Sequence, residues 1–190
     1  MELDEVHLDA RQIRVIAHPL RAQLLGALRL DGPATATKLA GALGTNTGAT
    51  SYHLRQLADA GLVAEDTAAG RGRERWWRAA HRSSSWQRDD FAGDPDATAA
   101  ADWLDNFALR TLMDRAAAWQ RVRGTESPEW REAAGFSDVL LTLNAKQLTS
   151  LADDVYAVIE RHRLAAAAEP APDARQVLVY LYGVPVVEQS

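Results

Sequence analysis

The stretch Thr50-Ser51-Tyr52-His53-Leu54-Arg55-Gln56-Leu57-Ala58-Asp59-Ala60-Gly61-Leu62-Val63, followed by Gly70-Arg71-Gly72-Arg73 and Arg75-Trp76-Trp77-Arg78, decides how the chain is read. Leu54, Leu57 and Leu62 give the first segment one apolar side, and Ser51, Tyr52 and Arg55 fall on another. A helix with one face in a core and the other in a groove needs that division. Gly61 stops the helix. Leu62 to Glu65 and Arg75 to Arg78 then read as two short strands, and the Gly-rich segment between them as a hairpin loop whose arginines project outward.

Upstream, Ala10 to Ala17 reads as one helix. Leu20 to Leu30 reads as a second, with Pro19 in the first turn, where a missing N–H does no harm. Asp31-Gly32-Pro33 ends it. Thr35 caps a short helix through Leu43, Gly44 closes that helix, and Thr47 is the expected cap of the next. Two helices joined by a Gly-containing turn, with a hairpin after them, have helix-turn-helix organisation, although a plain helical bundle could use the same turns structurally.

His18-Pro19-Leu20-Arg21, Ser51-Tyr52-His53-Leu54, Ala60-Gly61-Leu62-Val63 and Gly72-Arg73-Glu74-Arg75-Trp76-Trp77, in this order and spacing, resemble the ArsR-type winged helix-turn-helix regulators, in the branch with a larger C-terminal extension. The resemblance covers about residues 8 to 80. It implies a dimer whose two reading helices enter successive major grooves of DNA. Metal-sensing members of the family carry cysteines on the helix here spanning Thr35 to Leu43, and this chain has no cysteine at all. Thiolate metal sites, disulfides and thiol redox sensing are excluded with them.

Position then assigns roles. Ser51 and Tyr52 are placed for base edges, and Arg55 for a phosphate or a guanine. The backbone N–H groups of Thr47 and Gly48 suit a phosphate at a helix N-terminus. Arg71 and Arg73 flank the wing tip and suit the minor groove or the backbone, with Arg75 just behind them. Tyr52 has packing against the wing as its structural alternative. His53, beside the apolar face, reads as a buried, hydrogen-bonded structural residue, and His18 as part of a helix boundary. Of Trp76 and Trp77, which alternate faces, at least one belongs in the core.

Composition agrees with a globular protein: of 190 residues 47% are hydrophobic and 25% charged, and no apolar run approaches the roughly 18 residues of a membrane span. The acidic N-terminus does not read as a secretory signal, which places the expected protein in the cytoplasm. A net charge of −5 argues against a nucleic-acid partner until its distribution is seen. Residues 1–80 hold 10 Lys/Arg against 9 Asp/Glu, the rest 11 against 17, and Arg55, Arg71, Arg73, Arg75 and Arg78 all lie on the reading helix or wing.

Beyond residue 82 the sequence reads as a linker over 83–96 and an α+β module over 97–190. The expected elements are a long helix from Ala97 to Arg123 and a short helix opened by Ser127-Pro128. A strand over Val139 to Leu143 and a helix from Ala145 to about His162 opened by an Asn144/Gln147 capping box come next. After an Ala/Pro loop over Ala165 to Asp173, a second strand over Gln176 to Tyr182 completes the module. The chain as a whole is expected to be α+β, mainly α, with a two-stranded sheet in the C-terminal module. Leu104, Phe107, Ala108, Leu112, Ala116 and Trp119 form a stripe that means a core or a dimer seam. Trp103, Phe107, Trp119, Trp130, Phe136, Tyr156, Tyr180 and Tyr182 are either core or the walls of a pocket for a small apolar or aromatic effector.

No nucleophile elbow, phosphate loop or paired-histidine helix is present, and Asp153, Asp154, Glu160 and His162 read as a solvated face, so neither catalysis nor a cofactor is expected. The expectation is a dimeric, sequence-specific regulator, most simply a repressor, on an inverted repeat in double-stranded DNA. The rival readings are a winged helix meeting an acidic protein partner and a small-molecule-binding enzyme with a vestigial winged helix.

Overall fold

In the computed structural model, which describes residues 5–68 and 74–187, the chain divides into two units, Met1–Thr111 and Leu112–Ser190. The first begins with β1 (Glu5–His7), α1 (Ala10–Ile16) and α2 (Pro19–Leu30). Asp9 and Gln12 cap α1 reciprocally, and His18 caps α2, its Nδ1 accepting the Leu20 N–H at 3.2 Å with Pro19 in the first turn. A two-residue strand, β2 (Ala34–Thr35), leads directly into α3 (Ala36–Ala42), whose cap is the Thr35 hydroxyl. After Gly44, at a positive φ of 63°, comes α4 (Thr47–Asp59). Its cap is Asn46 rather than the expected Thr47: the Asn46 side chain accepts the Ala49 N–H at 2.8 Å, and asparagine is the stronger cap of the two.

The end of α4 shows why Gly61 stands where it does. The Leu62 N–H reaches back to the Leu57 carbonyl and the Gly61 N–H to that of Ala58, a Schellman turn that requires a left-handed residue, and Gly61 has φ 73°. The chain reverses into β3 (Val63–Glu65), which pairs antiparallel with β4 (Trp76–Ala79). β2 adds to the other edge of β4, giving the order β2-β4-β3. Of the two tryptophans Trp77 is buried and Trp76 half-exposed, as strand alternation requires.

The expected linker over 83–96 is instead part of this unit. Ser83–Ser85 form β5, paired in parallel with β1, and Arg88–Phe91 make a turn of 3-10 helix that buries Phe91. The long helix α5 (Pro95–Val122) then contributes Ala97, Ala100, Ala101 and Leu104 to the same core as Leu24, Leu25, Leu54 and Leu57. Polar ties fix this stretch: Arg88 grips Asp102 at 2.7 and 3.3 Å, and the Trp86 indole N–H donates to Asp105 at 3.2 Å. The boundary expected at residue 82 therefore falls inside α5, after Thr111, because the first half of that helix has its apolar partners on the N-terminal side.

The second unit holds the rest of α5, a 3-10 turn at Arg123–Thr125, α6 (Pro128–Ala133) and α7 (Ala145–Ala168). The Asn144/Gln147 capping box opens α7 as expected. The helix outruns its expected end at His162, since Leu164 to Ala168 are strong helix formers. The two expected strands, Val139 to Leu143 and Gln176 to Tyr182, do not form among the described residues. The chain is mainly helical with small sheets, as expected, but those sheets lie wholly in the N-terminal unit. Among the described residues no helix is long and apolar enough to cross a membrane.

Candidate nucleic-acid interface

Helix α4 turns Thr50, Leu54 and Leu57 inward, all fully buried, and presents Thr47, Gly48, Ser51, Tyr52 and Arg55 on the opposite side. Thr50 is an apolar-side residue with its hydroxyl satisfied, donating to the Asn46 carbonyl at 3.0 Å. Gly48 sits under the cap, where an added Cβ would lie 3.3 Å from Asn46 Oδ1. As first-turn residues, Thr47 and Gly48 keep backbone N–H groups without an intrahelical acceptor.

A cavity of about 260 Å³ opens beside this face, and its walls bring three elements together. Thr35, Ala36 and Thr37 come from the start of α3; Thr47, Ser51 and Arg55 from α4; and Glu74, Arg75 and Trp77 from the wing stem. Four of the residues singled out in the sequence, Thr47, Ser51, Arg55 and Arg75, thus converge on one surface. Tyr52 is not among the lining residues; it is 55% exposed, with its ring edge-on to His53 at 5.2 Å. Arg75 is not a free cation: it pairs with Glu65 at 3.1 Å and lies 5.6 Å over the Trp77 ring. Arg71 and Arg73 lie outside the described residues.

Sequence reasoning passed over Lys38 and Thr37 and gave Thr35 a capping role alone. Lys38 is exposed at the start of α3 with its ammonium 4.5 Å over the Trp76 ring. A hydroxyl-rich helix start followed by lysine, Thr35-Ala36-Thr37-Lys38, is the signal that was there to be used.

His18 sits at the α2 boundary, as expected, and His53 of α4 lies against it. The His18 and His53 rings lie 4.5 Å apart, tilted by 34°. Burial lowers both pKa values; Arg21 lowers that of His18 further, and His18 and then Arg21 lower that of His53. His53 departs from expectation in one respect, since its Nδ1 is buried without a hydrogen-bond partner, as is Arg21 Nε. At its far end α4 is held by α1: Arg11 donates to the Asp59 carbonyl at 2.8 Å and Gln12 to that of Ala60 at 3.1 Å.

Residues 16–66 match the family described as "Helix-turn-helix domain". In fold, α3, the turn at Gly44 and α4 are a helix-turn-helix. With β2, β3 and β4 attached to it, the domain is winged. No curated protein matches the chain. Solved structures similar to it include the homodimeric winged helix-turn-helix DNA-binding domain of Mb0332 from Mycobacterium bovis, a possible ArsR-family regulator, at 24% identity over 56% of this chain and 77% of that one, TM-score 0.35. A possible transcriptional regulator for arsenical resistance is similar at 28% identity over 61% and 96%, TM-score 0.32. Lactococcus lactis ZitR in complex with DNA follows at 18% identity over 79% and 77%, TM-score 0.27.

The aromatics considered for an effector pocket are dispersed. Trp103 and Phe107 stack at 5.1 Å against the core of the N-terminal unit. Trp119, Trp130, Tyr156 and Tyr180 belong to the other unit, where Tyr156 and Tyr180 are exposed and Trp130 lies 4.8 Å under the Arg175 guanidinium. None of them lines the cavity beside α4. Among the described residues no cluster of metal-ligating side chains occurs.

Proposed function

We propose that the chain is a cytoplasmic, sequence-specific DNA-binding transcriptional regulator, acting as a homodimeric repressor on an inverted-repeat operator. The observation that carries the reading is the convergence of Thr47, Ser51 and Arg55 on α4 with Thr35 and Thr37 on α3 and Arg75 in the wing stem. Hydroxyls, unpaired helix-start N–H groups and guanidinium ions at one concave surface suit phosphate oxygens, and the exposed Tyr52 and Arg55 next to them suit base edges. The protein binds rather than catalyses, and any effector acts by binding the DNA-free and DNA-bound forms with different affinity.

Binding to duplex DNA over a range of salt concentrations tests this. Phosphate contacts predict affinity that falls log-linearly with salt, and a specific operator predicts a site that outcompetes random duplex. Failure to bind any duplex at low salt, with capture of an acidic protein instead, would transfer the same surface to the rival reading.

A further inference from the structure

The cavity beside α4 holds one group that phosphate contacts do not account for. Arg55, Glu74 and Arg75 are the charged residues in its lining. Arg75 is already engaged, paired with Glu65 at 3.1 Å and placed over the Trp77 ring. Glu74 and Arg55 are exposed, and among the described residues neither side chain has an ion pair or a hydrogen bond. A free carboxylate and a free guanidinium therefore share one concave wall with Ser51 and the threonines at positions 35, 37 and 47.

A carboxylate repels any phosphate that approaches it and offers only acceptors, so its complement on a duplex is a donor. In the major groove, the groove open to a helix such as α4, the donors are base amino groups, N4 of cytosine and N6 of adenine. Cytosine is the better match. It presents its amino group alone, whereas adenine sets the acceptor N7 beside its donor, where a carboxylate has nothing to give. Guanine, the partner of cytosine, presents N7 and O6, the acceptors that the Arg55 fork of donors fits. A G·C pair is thus the one pair whose major-groove edge suits both free groups.

Resting on the DNA-binding reading above, we propose that Glu74 is a specificity-determining residue whose carboxylate accepts the N4 amino group of a cytosine in the operator.

The test compares the full chain with its Glu74→Gln variant, which keeps the side-chain shape and removes the charge. Each is put through selection from a random duplex library and then competition against random duplex. The wild type is expected to require a G·C pair at a position where the variant does not, because glutamine adds a donor to its acceptor and favours adenine. Replacing that pair is expected to weaken wild-type binding about 5- to 10-fold and variant binding less than about 2-fold, with other positions unaffected. The variant is also expected to bind random duplex more tightly, since a charge that repels phosphates is gone. Glu74 is exposed, so circular dichroism should match the wild type. A folded variant with the wild-type consensus and the wild-type discrimination would overturn the proposal even if random duplex bound more tightly, and so would a wild-type consensus without a G·C pair. A second measurement stands if the variant fails to fold. N4-methylcytosine pairs with guanine but carries a methyl group in place of the outward N–H, so substituting it for each selected cytosine in turn is expected to weaken wild-type binding about 5-fold or more at one of them. Undiminished affinity at all of them would overturn the proposal. A wild type that binds no duplex would remove the DNA-binding reading and this role of Glu74 together, whereas a consensus that Glu74→Gln leaves untouched would remove the role of Glu74 alone.

Discussion

His18 caps α2 through its Nδ1 and at the same time lies, at 4.5 Å between ring centroids and tilted by 34°, against His53 of α4. One imidazole therefore sets the start of α2 and lies against α4. A protonated His18 could no longer accept the Leu20 N–H through Nδ1, and two imidazolium rings in contact would repel each other and Arg21.

That contact makes stability depend on pH in a defined direction. Both histidines are held below the ordinary 6.5 by burial and by their cationic neighbours, so between the folded values and 6.5 the unfolded chain binds more protons than the folded one. Stability is then complete above about pH 6.5 and declines as pH falls below it. The melting temperature of the N-terminal unit is expected to drop from about pH 7.5 to about pH 5.5. Replacing His53 with Asn should flatten that slope, and equal slopes in both proteins would exclude the pair as its source.

Tyr52 and Arg55 are exposed, so replacing either with Ala is expected to spare folding while costing about 1–3 kcal/mol at the operator. Competition assays against random duplex check this. Parent-like affinity in both folded variants would mean that α4 does not read bases.

Leu57 is fully buried between α4 and the rest of the core, and its carbonyl closes the Schellman turn at Gly61. Leu57→Ala is expected to destabilise the N-terminal unit by about 2–5 kcal/mol. Gly61→Ala meets open space but must hold a positive φ, so about 1–2 kcal/mol is expected there. Denaturant titrations rank the two, and a costlier Gly61→Ala would refute the strain argument.

For the wing, replacing Arg71 and Arg73 together with Ala should weaken binding to every sequence about equally and lower the salt slope by roughly one unit for each phosphate that the variant no longer neutralises. An unchanged slope would remove the wing tip from the interface.

What the sequence revealed about the fold was mostly local. The α4 periodicity, the Gly61 stop, the alternation at Trp76-Trp77 and the Asn144/Gln147 box are all signals contained within a few residues, and each reappears in the structure. The misreadings needed information from far along the chain. Phe91 is hidden in an acidic Gly/Pro stretch that reads as linker, and Ala97, Ala100 and Ala101 make too weak a stripe to announce that α5 begins in the N-terminal core. The two-residue β2 forms only because β4 is there to pair with it. The site was legible in its α4 face, whose residues follow from helical spacing. Lys38 and the α3 hydroxyls escaped because their role depends on how α3 lies against the wing stem.

Whether the α4 face of a two-fold dimer reads duplex DNA is tested most directly by selecting bound duplexes from a random library with the full chain and footprinting the winning sequence. The expected result is an inverted repeat with half-site centres one helical turn, about 34–36 Å, or a multiple of it apart, protected on one face of the duplex. A library that yields no consensus, or a single asymmetric half-site protected by a monomer, would contradict it.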